Sequence, residues 1–208
     1  MPWHEILSAA VSQKLGFDED ASLTAKLNPD YRYLRVQAQG QAAALMVLGY
    51  IDPDPLGEIE VWYSSQREVI KLQNGRILST AGLETNWRSV RFSAAPPVWS
   101  AVPPEGSVYT RWRDEMPGHR YARSSRLQLM PLTAVPNLPL PAAVSPEQAK
   151  TYRWFSETTL SPADPALQTS WFAWGVHRGQ SAVVYSQQCL SASYCLQLQL
   201  WPVQEKAL

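Results

Sequence analysis

The run Glu68-Val69-Ile70-Lys71-Leu72-Gln73-Asn74-Gly75-Arg76-Ile77-Leu78-Ser79-Thr80 decides the fold class. Two alternating apolar segments flank an Asn-Gly pair. The two central residues of a type I′ turn both need positive φ, which Asn and Gly adopt at least cost. The run therefore predicts an antiparallel hairpin with Asn74 and Gly75 at its tip. Upstream, Glu58 to Ser64 alternates Ile59, Val61 and Tyr63 with Glu58, Glu60 and Trp62, as on a strand with two unlike faces. The acidic, proline-rich turn Asp52-Pro53-Asp54-Pro55-Leu56-Gly57 separates it from a strand over Ala42 to Ile51, and another strand covers Tyr31 to Ala38. Downstream, the same periodicity predicts strands at Trp87 to Phe92, Val108 to Arg113, Tyr121 to Met130, Tyr152 to Glu157, Ser170 to His177, Ala182 to Gln188 and Tyr194 to Trp201.

Helix is expected in two places. Trp3, Leu7, Val11 and Leu15 recur every four residues, with Gly16 suited to a C-cap, so the first sixteen residues read as an amphipathic helix. Ser145-Pro146-Glu147-Gln148 has the form of an N-cap for one short helix. The expected fold is mainly β: antiparallel curved sheets or half-barrel lobes, with a short N-terminal α-helix. The 208 residues suit a single domain, with lobes over 30–100 and 105–203. The proline-rich stretches Ala94 to Pro104 and Pro131 to Pro146 read as crossings between those lobes.

Composition narrows the function. With 45% hydrophobic and 17% charged residues the chain is a folded globular protein. Its 18 basic and 18 acidic residues cancel, so no net field draws it to nucleic acid, and no apolar run is long enough for a membrane helix. Nine Trp and nine Tyr against four Phe favour aromatic rings that carry a polar handle. His4, His119 and His177 are isolated, and no metal-ligand pattern, phosphate loop, dinucleotide fingerprint or nucleophile elbow is present. No catalytic residue, metal or cofactor is assigned. His177, before Arg178-Gly179, reads as a strand-end residue beside a turn.

Two local patterns remain. Cys189 and Cys195 flank Ser191-Ala192-Ser193, and two thiols alone cannot complete a structural zinc site. A turn there brings them opposite each other, so a disulfide is expected. Basic and aromatic residues interleave in Tyr109-Thr110-Arg111-Trp112-Arg113 and Arg120-Tyr121-Ala122-Arg123. On a strand, Arg111 and Arg113 share a face with Tyr109, while Trp112 points the other way. One reading is a sheet face whose arginines cover rings and pair with carboxylates. The other is a glycan-binding groove in which exposed Trp112, Arg111, Arg113 and Arg123 stack on sugars and bind acidic groups.

The Tyr31-Arg32-Tyr33-Leu34 segment, the Ala44-Leu45-Met46-Val47-Leu48 strand, Trp62-Tyr63-Ser64-Ser65 and above all Asn74-Gly75-Arg76-Ile77-Leu78-Ser79-Thr80-Ala81-Gly82-Leu83 resemble the YjbF/GfcB family of group 4 capsule polysaccharide lipoproteins. Tyr109-Thr110-Arg111-Trp112 and Val184-Tyr185-Ser186-Gln187-Gln188 are similar to that family's later strands. The resemblance implies a non-enzymatic lipoprotein at the periplasmic face of the bacterial outer membrane, supporting capsule or exopolysaccharide export or assembly. Its implied partners are polysaccharide, polysaccharide-export proteins and a membrane reached through an N-terminal lipid anchor expected outside this chain. Two alternatives stand beside it: a carrier holding an acyl or polyprenyl-linked ligand in a concave β cavity, and a polysaccharide-modifying enzyme.

Overall fold

The computed structural model describes residues 26–160, 167 and 169–202, and the helix expected over the first sixteen residues lies outside them. Twelve strands follow in chain order: β1 (Tyr33–Ala38), β2 (Ala44–Asp52), β3 (Ile59–Tyr63), β4 (Val69–Gln73), β5 (Arg76–Ala81), β6 (Asn86–Phe92), β7 (Ser107–Met116), β8 (Arg120–Pro131), β9 (Arg153–Thr159), β10 (Ser170–His177), β11 (Gln180–Cys189) and β12 (Cys195–Trp201). Each expected strand is present, with ends moved by a few residues. Helix α1 (Pro146–Ala149) is the short helix read from the Ser145 cap, whose hydroxyl accepts from Gln148 N at 3.1 Å. Asn74 and Gly75, with φ of 49° and 76°, form the tip of the β4–β5 hairpin.

All twelve strands join one antiparallel sheet in the order β5-β4-β3-β2-β1-β12-β11-β10-β9-β8-β7-β6. The sheet wraps until its edge strands β5 and β6 lie side by side, giving a nearly closed barrel. Across this seam no strand ladder forms. Instead, Trp87 N donates to Thr80 Oγ1 at 3.1 Å. Bulges at Leu48/Tyr50, Lys71/Leu72, Trp87/Ser89, Arg113/Glu115 and Ala173/Trp174 supply local bending. The proline-rich stretches correct an expectation. Each joins strands that neighbour each other in the sheet, β6 to β7 and β8 to β9, so neither is a crossing.

Alternation along the strands sorts side chains between the two faces. Inside, Leu34, Met46, Trp62, Ile70, Ile77 and Leu198 pack in one cluster, while Trp99, Leu127, Leu129, Phe155 and Phe172 pack in another. Full burial of an aliphatic or Phe side chain contributes about 1.5–3 kcal/mol, so these inward rows hold the sheet curved. Outside, the segment from Leu132 through α1 forms a strap. Val144 and Ala149 cover Trp154, Ala173 and Tyr185, and Ala142 meets Tyr33, Val47 and Trp201. The strap is pinned by Gln199 Nε2, which donates to the Ala142 carbonyl at 2.8 Å.

Candidate functional site

The interleaved arginines lie within the barrel. On β7, Tyr109, Arg111, Arg113 and Glu115 are buried, and the alternate residues Thr110, Trp112 and Asp114 face outward. The expected exposed cationic face is therefore corrected for Arg111 and Arg113, which are 7% and 1% exposed. Burial is tolerated because carboxylates and indoles meet them. Arg113 Nε donates to Glu115 Oε1 at 2.6 Å, and its Nη1 reaches the Ser125 hydroxyl. Arg111 Nη1 lies 3.6 Å from Glu157 Oε1, and its guanidinium sits 4.7 Å from the Trp87 ring. Glu157, from β9, also accepts from Arg76 Nε at 3.3 Å and from the Tyr109 hydroxyl. Burial first, and then the Glu157 charge, raise the Tyr109 pKa well above the ordinary range, so this phenol stays a donor.

The four residues singled out in the sequence thus do not form one surface. Trp112 is half-buried on the outer face. Arg123, opposite Arg113 in the β7–β8 ladder, shares the inward side and is half-buried. The disulfide is present: Cys189 and Cys195 are opposite partners in the β11–β12 ladder and are bonded.

A different group of residues surrounds open space. A cavity of about 480 Å³ enters the barrel from the end that carries the Asn74-Gly75 tip. Leu34, Leu72, Leu198 and Leu200 line its walls, Trp99 and Trp174 its aromatic side, and Arg32, Glu58 and Glu60 its rim. Trp99 belongs to a 3-10 turn (Trp99–Ala101) inside the β6–β7 connection. It is fixed on every side: its ring centroid is 4.8 Å from that of Phe172, its Nε1 donates to Asn74 O at 2.9 Å, and the Arg76 guanidinium lies over it at 4.0 Å. Trp174 is only half-buried, with the Arg153 guanidinium 5.7 Å from its ring. Arg153 is in turn held by the Ser100 carbonyl at 3.3 Å.

Some polar groups at this end are already engaged by the fold, while Glu58, Gln180 and Ser181 also line the opening. Arg32 is ion-paired with Glu60 and lies 5.7 Å from the Trp62 ring. His177, which ends β10, has a pKa pushed down to about 4 by burial and then by Arg178 and Arg32, so it is neutral near pH 7. Gly75 approaches β11 so closely that a Cβ there would stand 2.4 Å from Val183 Cβ, and its carbonyl accepts from Gln188 Nε2 at 2.8 Å. The hairpin tip is thereby locked as part of the cavity wall. Among the described residues, no group of three or more His, Cys, Asp or Glu is gathered for a metal. Sequence reasoning placed Trp174 on the strand Ser170 to His177 but passed over Trp99. The isolated tryptophan after Pro96-Pro97 was the available signal.

No curated protein matches the chain. Among solved structures, the hypothetical lipoprotein YmcC from Escherichia coli (K12) is similar in fold, with a TM-score of 0.64 and 19% sequence identity over 99% of this chain and 98% of that one. The family described as group 4 capsule polysaccharide lipoprotein gfcB, YjbF matches residues 12–155. That match spans more than half of the chain, and its first strands are those that build the cavity wall, so the chain belongs to the YjbF/GfcB family of group 4 capsule polysaccharide lipoproteins.

Proposed function

We propose that the protein is a non-enzymatic, lipid-anchored component of the bacterial envelope. In this reading it lies at the periplasmic face of the outer membrane and supports export or assembly of capsule or exopolysaccharide by holding a saccharide segment at the barrel mouth. The observation that carries this reading is the open cavity of about 480 Å³, which combines the half-buried Trp174 ring with a polar rim. An indole offers a flat apolar face to sugar C–H groups, and rim side chains offer partners to hydroxyls. The non-enzymatic reading has its own support: Glu60 and Glu157 are engaged by Arg32 and Arg76, so neither carboxylate is held apart for a reacting group. Trp112, on the outer face, is given a peripheral role.

The carrier reading is favoured by one feature, the leucine wall of Leu34, Leu72, Leu198 and Leu200, which suits an apolar tail. Calorimetry and Trp fluorescence separate the two. Titrating oligosaccharides prepared from capsule or exopolysaccharide should give a saturable signal in the millimolar range, lost in Trp174→Ala. Saturable uptake of a fluorescent fatty acid with no saccharide signal would transfer the cavity to the carrier reading. Metabolic labelling of the full-length product with a radioactive fatty acid tests the anchor, and a product without label would remove it.

A further inference from the structure

Three glutamines stand side by side across the outer face of the barrel. Gln37 on β1 is opposite Gln197 on β12, which is opposite Gln187 on β11, and the next position in the row is Trp171 on β10. All four are half-buried. Their chain neighbours face the interior: Val36 and Ala38, Leu196 and Leu198, and Phe172 all lie in the interior cores, while Ser186 and Gln188 are also buried. Adjacent strands are about 4.8 Å apart, so the row presents amides at a spacing close to the length of one pyranose ring along an extended glycan.

This row borders a groove of about 320 Å³, bounded on one side by Leu138 and Pro139 of the strap and extended by Gln39. No ionisable side chain lines it, since Cys195 is in the disulfide. Other glutamines of the sheet serve as fasteners: Gln73 binds the Gly57 carbonyl, Gln188 the Gly75 carbonyl and Gln199 the Ala142 carbonyl. Gln187 and Gln197 do not, their side chains making no hydrogen bond among the described residues. Gln37 donates only to the nearby Gln41 carbonyl, at 3.2 Å. A sheet face that serves solubility alone carries charge. A row of uncharged amides, each with two donors and an acceptor, ends here at an indole and lies in a groove.

We infer that the Gln37–Gln197–Gln187–Trp171 row is a second saccharide-binding surface, selective for neutral, hydroxyl-rich stretches of chain. Amides pair with hydroxyls without a desolvated charge, and Trp171 closes the row by stacking on a ring. The inference rests on the saccharide reading above and adds a surface on the outside of the barrel, apart from the mouth.

The test uses the full chain labelled with ¹⁵N and monitors the side-chain amide signals of Gln187 and Gln197 together with the indole signals of Trp171 and Trp174. The probes are maltohexaose, cellohexaose and an oligogalacturonate. The neutral sugars should move the two amide signals and the Trp171 indole saturably at millimolar concentration, and the oligogalacturonate should not. Gln187→Leu with Gln197→Leu, at half-exposed positions, should weaken that binding roughly tenfold, the loss of one or two modest hydrogen bonds. No movement along the row with either neutral sugar overturns the inference, as does equal movement with the oligogalacturonate. Movement of Trp174 alone overturns the row and keeps the mouth. Movement of the row alone, persisting in Trp174→Ala, keeps the row and removes the mouth.

Discussion

The β7–β9 side of the barrel interior and its mouth are built from the same residue types, arginine, tryptophan and glutamate, yet one is packed solid and the other is hollow. On the packed side, Arg76, Arg111 and Arg113 are almost without solvent, and their guanidinium groups lie over Trp87 or Trp99 while Glu115 and Glu157 neutralise them. At the mouth, Arg32 and Glu60 pair in partial contact with water, 36% and 25% exposed, and the Trp174 ring borders open space. Composition does not distinguish a scaffold from a binding site here; water does. Where water is excluded the charges must neutralise one another, and the cluster is turned inward on itself.

The contrast is sharpest in paired carboxylate deletions. Glu157→Ala leaves Arg76 and Arg111 in the interior without their shared counter-ion and should cost about 3–5 kcal/mol. Glu60→Ala, which removes an equivalent pair at the mouth, should cost no more than about 1 kcal/mol. Urea unfolding midpoints of the two variants provide the comparison, and equal losses would mean that the two regions are not energetically distinct.

Gly75 lies where the two regions meet. Gly75→Val forces a branched residue into positive φ and against Val183, so roughly 2–4 kcal/mol should be lost, as read by thermal or denaturant unfolding. An unchanged midpoint would show that the hairpin tip is not locked to β11. Reducing the Cys189–Cys195 disulfide, far along β11 from the mouth, should lower stability by about 2 kcal/mol because the closed loop is short. Saccharide binding at the mouth should survive the reduction in conditions where the protein stays folded.

A separate effect concerns pH. The His177 pKa is about 4 in the folded chain and near 6.5 when unfolded, so the unfolded state takes up the proton first as pH falls. The contribution of neutral His177 is present above pH ~6.5 and is lost as pH falls from there toward about 4. His177→Asn should flatten the stability profile in that window, whereas an unchanged slope would assign it to carboxylates elsewhere.

The strands were legible because period two is a local property, and the β4–β5 turn was legible because Asn74-Gly75 leaves few alternatives. Which face of β7 points inward was not. Alternation correctly places Tyr109, Arg111 and Arg113 together, but charge ordinarily marks the wet face, and the arginine interior depends on Glu157, supplied by β9, for Arg111 and on Glu115 for Arg113. The mouth was illegible for a similar reason: Leu34, Leu72, Trp99, Trp174 and Leu198 converge from distant segments, and nothing local announces an enclosed volume. Trp174 was read as part of the strand Ser170 to His177. Trp99 sits in a proline-rich stretch that read as a connection.

The seam between β5 and β6 gives the barrel an unusual relation between chain order and sheet order. Every ladder but one joins strands consecutive in the chain, the exception being β1 with β12, where Tyr33 meets Trp201. A chain opened in the turn between Ala81 and Asn86, with residues 31 and 202 joined by a linker, would read β6 to β12 and then β1 to β5, an unbroken meander. In that circular permutant the one ladder that now spans most of the polypeptide becomes a hairpin. The β5–β6 seam, local in the present chain, becomes the long-range contact in its place, so mean contact separation changes little and the finished sheet stays the same.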